Sequence, residues 1–263
     1  MDYLILCLAA LLASGLTLFS GFGLGTLLLP VFALFFPLPV AIAATALVHL
    51  ANNLFKLFLM GRRAAWRVVL GFALPAAMAA FLGAWLLGFL AGLPSLASYH
   101  LGPRLAQVSL VKLVIGCLIL VFAMLELRPA LAARLEVMAS HLSLGGLLSG
   151  FFGGLSGHQG AFRSAFLLHA GLDKEAFVAT GVVCAVAVDL TRLLVYGQDL
   201  LGGHLDQLAQ AGGLAKVAAA CLAAFLGAYV GKRLLGKVTM EAVRWCVAIM
   251  MGLVGLGLAA GLI

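Results

Sequence analysis

Apolar residues fill this chain in long blocks, broken by glycine, by proline and by short clusters of basic residues. Reading the blocks between those breaks predicts ten helical segments. The first five cover residues 3–20, 22–36, 39–60, 66–91 and 108–125; the second five cover 142–155, 161–172, 175–196, 208–230 and 240–262. A spanning helix needs about 20 apolar residues, and 22–36, 142–155 and 161–172 fall short. They predict broken or re-entrant pairs that meet at the glycine-rich junctions Gly21–Gly25 and Ser156–Gly160. Glycine permits the backbone angles such junctions need. Non-helical backbone at membrane depth must in turn be satisfied by protein or by a water-filled cavity.

The pattern is also duplicated. Gly15, Gly25, Ala44 and Thr45 recur as Gly150, Gly160, Ala179 and Thr180, each 135 residues later. Residues 79–84, Ala-Ala-Phe-Leu-Gly-Ala, return letter for letter as 223–228. The domains expected are a first repeat over 1–127, a cytoplasmic linker over 128–141 and a second repeat over 142–263. Whether the short pairs span or turn back, each half crosses the membrane five or three times. Both counts are odd, so the halves have opposite orientation. The fold class predicted is an all-α polytopic membrane protein of two inverted-topology repeats, each of about five helical segments, with a site near the midplane between them. The repeated hexapeptide reads as a packing surface, since small residues let membrane helices approach closely.

Composition narrows this further. Asp, Glu, Lys and Arg make up 10% of the chain and mean hydropathy is +1.20, against about 25% charged residues in soluble domains. So few charges leave no soluble domain of ordinary size. The net charge of +7 sits in short loops without an aromatic-basic surface, which excludes nucleic acid as a partner. Arg62, Arg63, Arg67, Arg128, Arg134, Lys174, Lys232, Arg233 and Lys237 fall on one side under the parity above, with Arg104 on the other. The rich side is expected to be cytoplasmic. The expected location is a cell membrane, a bacterial inner membrane, with both termini outside the cytoplasm. Met1-Asp2-Tyr3 lacks a basic n-region, so the first segment reads as retained and not as a cleaved signal. The five cysteines form no C-x-x-C and read as small buried hydrophobes. A homo-oligomer is compatible with the sequence.

Polar residues inside membrane segments are costly and mark interiors or cavities. In segment 39–60, Thr45, His49, Asn52, Asn53 and Lys56 fall within one stripe about 100° wide. Lys56 has a second reading, snorkelling to the cytoplasmic interface. In the matching helix Thr180, Cys184 and Thr191 share a face, while Asp189 and Arg192 are expected to pair with each other on the helix surface as a structural tie. Proton coupling through Asp189 is the sharper alternative. The junctions differ in the opposite sense. The first carries no charge, whereas the second reads Ser156-Gly157-His158-Gln159-Gly160-Ala161-Phe162-Arg163. An arginine near the start of a helix, with free N–H groups and a positive dipole end, suits an oxyanion. The other reading of Arg163 is snorkelling or pairing with a carboxylate. The predicted substrate site is Gly25, Thr45, His49, Asn52, Asn53, His158, Gln159, Gly160, Arg163 and Thr180. It is donor-rich and suited to a small anion. His49, His158 and Asp189 are the candidates for coupling a proton, since histidine titrates near neutral pH. No cofactor and no metal is expected.

These features resemble the sulfite exporter TauE/SafE family of membrane transporters. The resemblance rests on Gly21-Phe22-Gly23-Leu24-Gly25-Thr26-Leu27-Leu28-Leu29-Pro30 with Ala44-Thr45, and on the second copy, residues 150–160, with Ala179-Thr180. Residues 226–233 add to it, and it covers nearly the whole chain. The resemblance implies secondary transport of small anions, often sulfite, sulfoacetate or related organosulfur compounds. His158 and Gln159 interrupt what is typically a run of glycines, which suggests a specialised member. Two other readings stand beside it. One is an intramembrane enzyme, although no H-E-x-x-H, nucleophile elbow or paired carboxylates support it. The other is a metal-cation carrier using His49, His158 and His169, against which the shortage of buried carboxylates weighs.

Overall fold

The computed structural model describes residues 2–20, 24–102, 104–128, 141–199, 212–234 and 240–263. Gly21–Gly23 of the first junction, 129–140 of the linker with Arg134, residues 208–211 of the ninth segment and Lys237 lie outside them. The described residues form ten α-helices, one per predicted segment: α1 Asp2–Ser20, α2 Leu24–Ala33, α3 Leu38–Met60, α4 Trp66–Ala91, α5 Leu110–Leu127, α6 Leu142–Ser156, α7 Gly160–Leu168, α8 Lys174–Asp199, α9 Gly213–Leu234 and α10 Met240–Ala259. In α3, α4, α8 and α9 the stretches Leu38–Phe58, Trp66–Ala91, Lys174–Gly197 and Gly213–Val230 are long and apolar enough to cross a membrane.

One element departs from the all-helical expectation. Between α4 and α5 the chain forms an antiparallel hairpin, β1 Ser95–Leu101 and β2 Arg104–Ser109. Gly102 supplies the positive φ of +61° at its turn. The hairpin covers the end of α10: Gln107 donates its N–H to the Gly261 carbonyl at 3.1 Å, and the Tyr99 hydroxyl donates to the Ala260 carbonyl at 2.6 Å.

The short pair of the second half turns back on itself. Gly157 ends α6 in the left-handed conformation, φ +82°, which a residue with a Cβ adopts only at a cost. α7 then runs antiparallel to α6. The Phe166 ring, near the end of α7, packs on Gly145 near the start of α6, while Gln159 packs on Gly153 near the α6 end. At 15 residues, α6 is about 22 Å long at 1.5 Å per residue. Along its length Gly146, Gly150 and Gly154 press in turn on the carbonyls of Phe72, Ala76 and Ala80 of α4. The hairpin tip therefore lies beside the middle of the 26-residue α4. The sequence allowed either spanning or turning back; the pair is a hairpin whose tip reaches only the level of Ala80 in α4.

The halves interdigitate reciprocally. α1 packs on α9, and α4, which corresponds to α9, packs on α6, which corresponds to α1. Corresponding helices that touch run antiparallel. In α3 and α8, Arg63 just beyond the α3 end pairs with Glu175 at 3.1 Å, whereas His49 reaches Asp189. In α5 and α10, Gly116 lies on Gly255 and Ala259, whereas Gln107, before α5, meets Gly261. The repeated hexapeptide has one task in both copies. Gly83 presses on Phe151 of α6 and Gly227 on Leu11 of α1, each against a backbone carbonyl that a Cβ would overlap.

This geometry predicts a contrast within one residue type. Gly150→Ala places a methyl into the Ala76 carbonyl and is expected to destabilise by about 1–3 kcal/mol, the usual cost of overpacking. Gly252→Ala meets nothing within 4 Å and is expected to be neutral, or stabilising by about 0.5–1 kcal/mol through helix propensity. Thermal unfolding of the purified variants in detergent checks both, and equal midpoints for the two would refute the close approach.

Candidate functional site

The antiparallel crossing of α3 and α8 turns the polar stripe of α3 toward Asp189. This carboxylate, fully buried, joins three helices. Its Oδ2 receives His49 Nδ1 at 2.6 Å and Asn53 Nδ2 at 3.3 Å from α3. Its Oδ1 receives Gln159 Nε2 at 2.8 Å, from the residue just before α7, and Arg192 Nη2 and Nε at 2.7 and 3.0 Å from α8. Arg192 also donates from Nη1 to the Gly153 carbonyl of α6 at 3.2 Å. Tyr196, one turn further, donates its hydroxyl to the Gly154 carbonyl. Asp189 and Arg192 do pair, but not on the helix surface as the sequence suggested. Both are completely buried, because the face they occupy is covered by α3 and by the α6–α7 hairpin.

Two further cations adjoin this centre. Arg163, one turn into α7 and half-buried, donates from Nη1 to Gln159 Oε1 at 3.0 Å and lies alongside Gly181 of α8. Its hydrogen bond thus goes to an amide and not to a carboxylate. Lys56 does not snorkel clear of the protein. It is 7% exposed and lies within electrostatic reach of Arg163. Asp189 is the one buried carboxylate among the described residues. Arg163 and Arg192 therefore flank a single acid, with Lys56 beside Arg163. Burying charge without compensation is costly, and here the basic groups outnumber the acid.

The other predicted residues divide into two groups. Thr45 and Gly25 stand where the two junctions meet: a methyl at Gly25 would lie 3.1 Å from the Gly157 carbonyl and 3.7 Å from Thr45 Cγ2. His158 is adjacent to Gly157 in sequence. Its Nδ1 hydrogen-bonds to Ser156 at 3.0 Å, and its ring stacks on Phe122 of α5 at 4.8 Å between centroids. His158 does not join the Asp189 centre. Asn52 looks the other way, its Oδ1 accepting from Ser14 of α1 at 3.1 Å. Thr45 Oγ1, Asn52 Nδ2 and His158 Nε2 are buried without a protein partner, so three predicted residues keep unused hydrogen-bonding capacity. Gly160 is buried at the first position of α7. Thr180 holds the fold together: its Oγ1 accepts the Ala65 N–H at 2.9 Å, tying the start of α4 to α8.

The histidines of the metal-carrier reading do not converge. His49 is held by Asp189, His158 lies on Phe122, and His169 is exposed at the end of α7, bonded to the Ala165 carbonyl. No cluster of three or more His, Cys, Asp or Glu suited to a metal occurs among the described residues.

Sequence reasoning missed Arg192 and Tyr196 as members of the centre. A signal was present, since Asp189, Arg192 and Tyr196 recur at i, i+3 and i+7 and so share one helix face. It also missed Ser149, whose hydroxyl donates to the Gln159 backbone carbonyl at 2.8 Å and holds the junction against α6. The sulfite exporter TauE/SafE family model matches residues 6–258. No curated protein matches the chain.

Proposed function

We propose that this chain, which belongs to the sulfite exporter TauE/SafE family, carries sulfite or a related organosulfur or organic anion across the cell membrane by alternating access. Membership makes it a multi-pass membrane transporter of a small anion; the particular anion and the cycle are our reading. The observation that carries it is the excess of basic groups at this centre: Arg163 and Arg192 beside Asp189, the one buried carboxylate among the described residues, with Lys56 next to Arg163. An anion entering beside Arg163 meets a guanidinium fork able to bind an oxyanion through two N–H groups. It also meets the N-terminal N–H groups of α7. Thr45, Asn52 and His158 are buried close in sequence to these elements, and each keeps an unused polar atom.

The proposed cycle moves two halves of opposite orientation past each other, with both termini outside the cytoplasm. It is supported by the odd number of crossings per half expected from the sequence, by the asymmetry of Lys and Arg expected from the same parity, and by the antiparallel pairing of α3 with α8 and of α5 with α10. A thermal-shift screen of purified protein against sulfite, sulfate, thiosulfate, sulfoacetate, taurine and simple carboxylates tests the reading. A ligand at about 100 times its Kd stabilises by about 2.7 kcal/mol, so at least one sulfur oxyanion or sulfonate is expected to raise the midpoint by several degrees. A panel without effect would rule out the anion site.

A further inference from the structure

The contacts of Gln159 carry more than the placement of a substrate. Its side chain lies between the half-buried guanidinium of Arg163 and the buried carboxylate of Asp189. Its Oε1 accepts from Arg163 at 3.0 Å, and its Nε2 donates to Asp189 Oδ1 at 2.8 Å. On the far side of the carboxylate, Oδ2 holds His49 Nδ1 at 2.6 Å. Three hydrogen bonds thus run from the group best placed to meet an anion to the pair best placed to hold a proton. Building on the anion reading above, we infer that Gln159 is a positioning residue that links anion binding at Arg163 to proton uptake by the His49–Asp189 pair, so that the substrate moves with a proton and not in exchange for one.

The sign follows from the charges. With His49 neutral, Arg163 and Arg192 stand against Asp189, with Lys56 beside Arg163, and the centre carries an excess of positive charge. The charged groups facing His49 are Arg163 on α7 and Asp189 and Arg192 on α8, and Lys56 of its own helix lies beside Arg163. The neighbouring thiol of Cys184 and phenol of Tyr196 are uncharged when protonated, and α2 and α6 contain no ionisable residue. A proton alone adds to the excess and is resisted; an anion alone reduces it. Each therefore favours the other.

Gln159 adds a local route. While Arg163 holds Oε1, the amide is fixed with its N–H toward Asp189, an arrangement that favours the ionised carboxylate without an added proton on the pair. An anion that takes over Arg163 Nη1 releases Oε1, the amide loses its orientation, and the pair accepts a proton more readily. The chemical step is a plain transfer. A solvent hydron binds His49 Nε2 in place of the 3.5 Å contact from Asn53 Nδ2, the imidazolium remains hydrogen-bonded to Asp189, and the same proton leaves when the anion leaves. The empty centre and the centre holding one monovalent anion and one proton have equal net charge, whereas either singly loaded state differs from them by one unit. Loaded and empty forms can therefore rearrange alike, which is the condition for coupled movement.

Calorimetric titration of the full-length protein in two buffers of different ionisation enthalpy counts protons taken up per anion bound. The probes are methanesulfonate and thiosulfate, which do not themselves titrate near neutral pH; with sulfite the ligand's own proton would be counted. Wild type is expected to take up close to one proton per anion and to bind about tenfold more tightly at about pH 6 than at about pH 8, within the usual range of coupling between sites. Gln159→Met is expected to bind the probes while its proton uptake falls by half or more, which a merely structural role of Gln159 would not produce. Proton release, or binding without proton exchange in wild type, overturns the inference and leaves the anion reading standing, even if the variant does not fold. Undiminished uptake in a folded Gln159→Met overturns the role of Gln159. Failure of both probes to bind overturns the anion reading itself.

Discussion

Replacing Asp189 with alanine is expected to cost about 3–5 kcal/mol, the usual consequence of leaving one partner of a buried pair alone. Arg192 is wholly buried, and two of its hydrogen bonds go to Asp189 Oδ1. His49, Asn53 and Gln159 lose the same acceptor. The expected result is little folded protein, or a midpoint lowered by many degrees in detergent. Asp189→Asn retains an oxygen for Gln159 but not the charge, and is expected to fold less stably and to transport nothing. The double variant Asp189→Leu/Arg192→Met separates the two roles of the pair. Removing both charges together is often nearly neutral for stability, so this variant is expected to regain the part of the midpoint lost to the stranded Arg192, while His49, Asn53 and Gln159 still lack their acceptor. It remains inactive because the proton-accepting pair is gone. Transport in the double variant at the wild-type rate would show that Asp189 serves the fold alone.

The fold was legible wherever charge, glycine or proline interrupts an apolar run. Trp66–Ala91 was bounded correctly because Arg62 and Arg63 precede it and Gly92-Leu93-Pro94 follow it. The β-hairpin went unread because residues 95–109 lie between apolar runs, where hydropathy says little, although Gly102-Pro103 was a turn signal. The α6–α7 hairpin was legible as an alternative, since neither helix is long enough to span. Its resolution depends on α7 folding back so that Phe166 covers Gly145, a contact between side chains far apart in sequence.

The site was legible as an inventory and not as a set of partners. Thr45, His49, Asn52 and Asn53 share a stripe, yet Asn52 turns to Ser14 on α1 while His49 and Asn53 turn to α8. A stripe about 100° wide is broad enough to touch two neighbours. His158 looked like a member of the centre because it adjoins Gln159. Successive residues at a turn point in different directions, and its ring went to Phe122. Asp189 was underestimated for the opposite reason. A partner three residues away, Arg192, accounts for it locally, and local periodicity carries no information about a histidine 140 positions earlier.

Arg163→Ala is expected to abolish anion binding and transport while leaving a folded protein. Arg163 is half-buried, and its hydrogen bond goes to the neutral Gln159, so truncation leaves an amide oxygen unpaired and no charge stranded. The cost to stability is about 1 kcal/mol, that of an ordinary hydrogen bond. The cost to binding is larger. Truncating one side of a buried charge-assisted contact removes about 2–5 kcal/mol, a loss of about thirtyfold to several thousandfold in affinity. Arg163→Lys keeps the charge without the planar fork that holds two oxygens at once, and is expected to recover part of the binding. The excess positive charge gives a further contrast. Lys56→Met removes a second cation beside Arg163 and is expected to weaken anion binding less than Arg163→Ala, because the fork remains. Anion uptake into proteoliposomes, with thermal-shift titration on the same preparations, ranks the variants. Wild-type uptake by Arg163→Ala would place the substrate elsewhere in the molecule, and equal losses in Arg163→Ala and Lys56→Met would mean that net charge governs binding and the guanidinium fork does not.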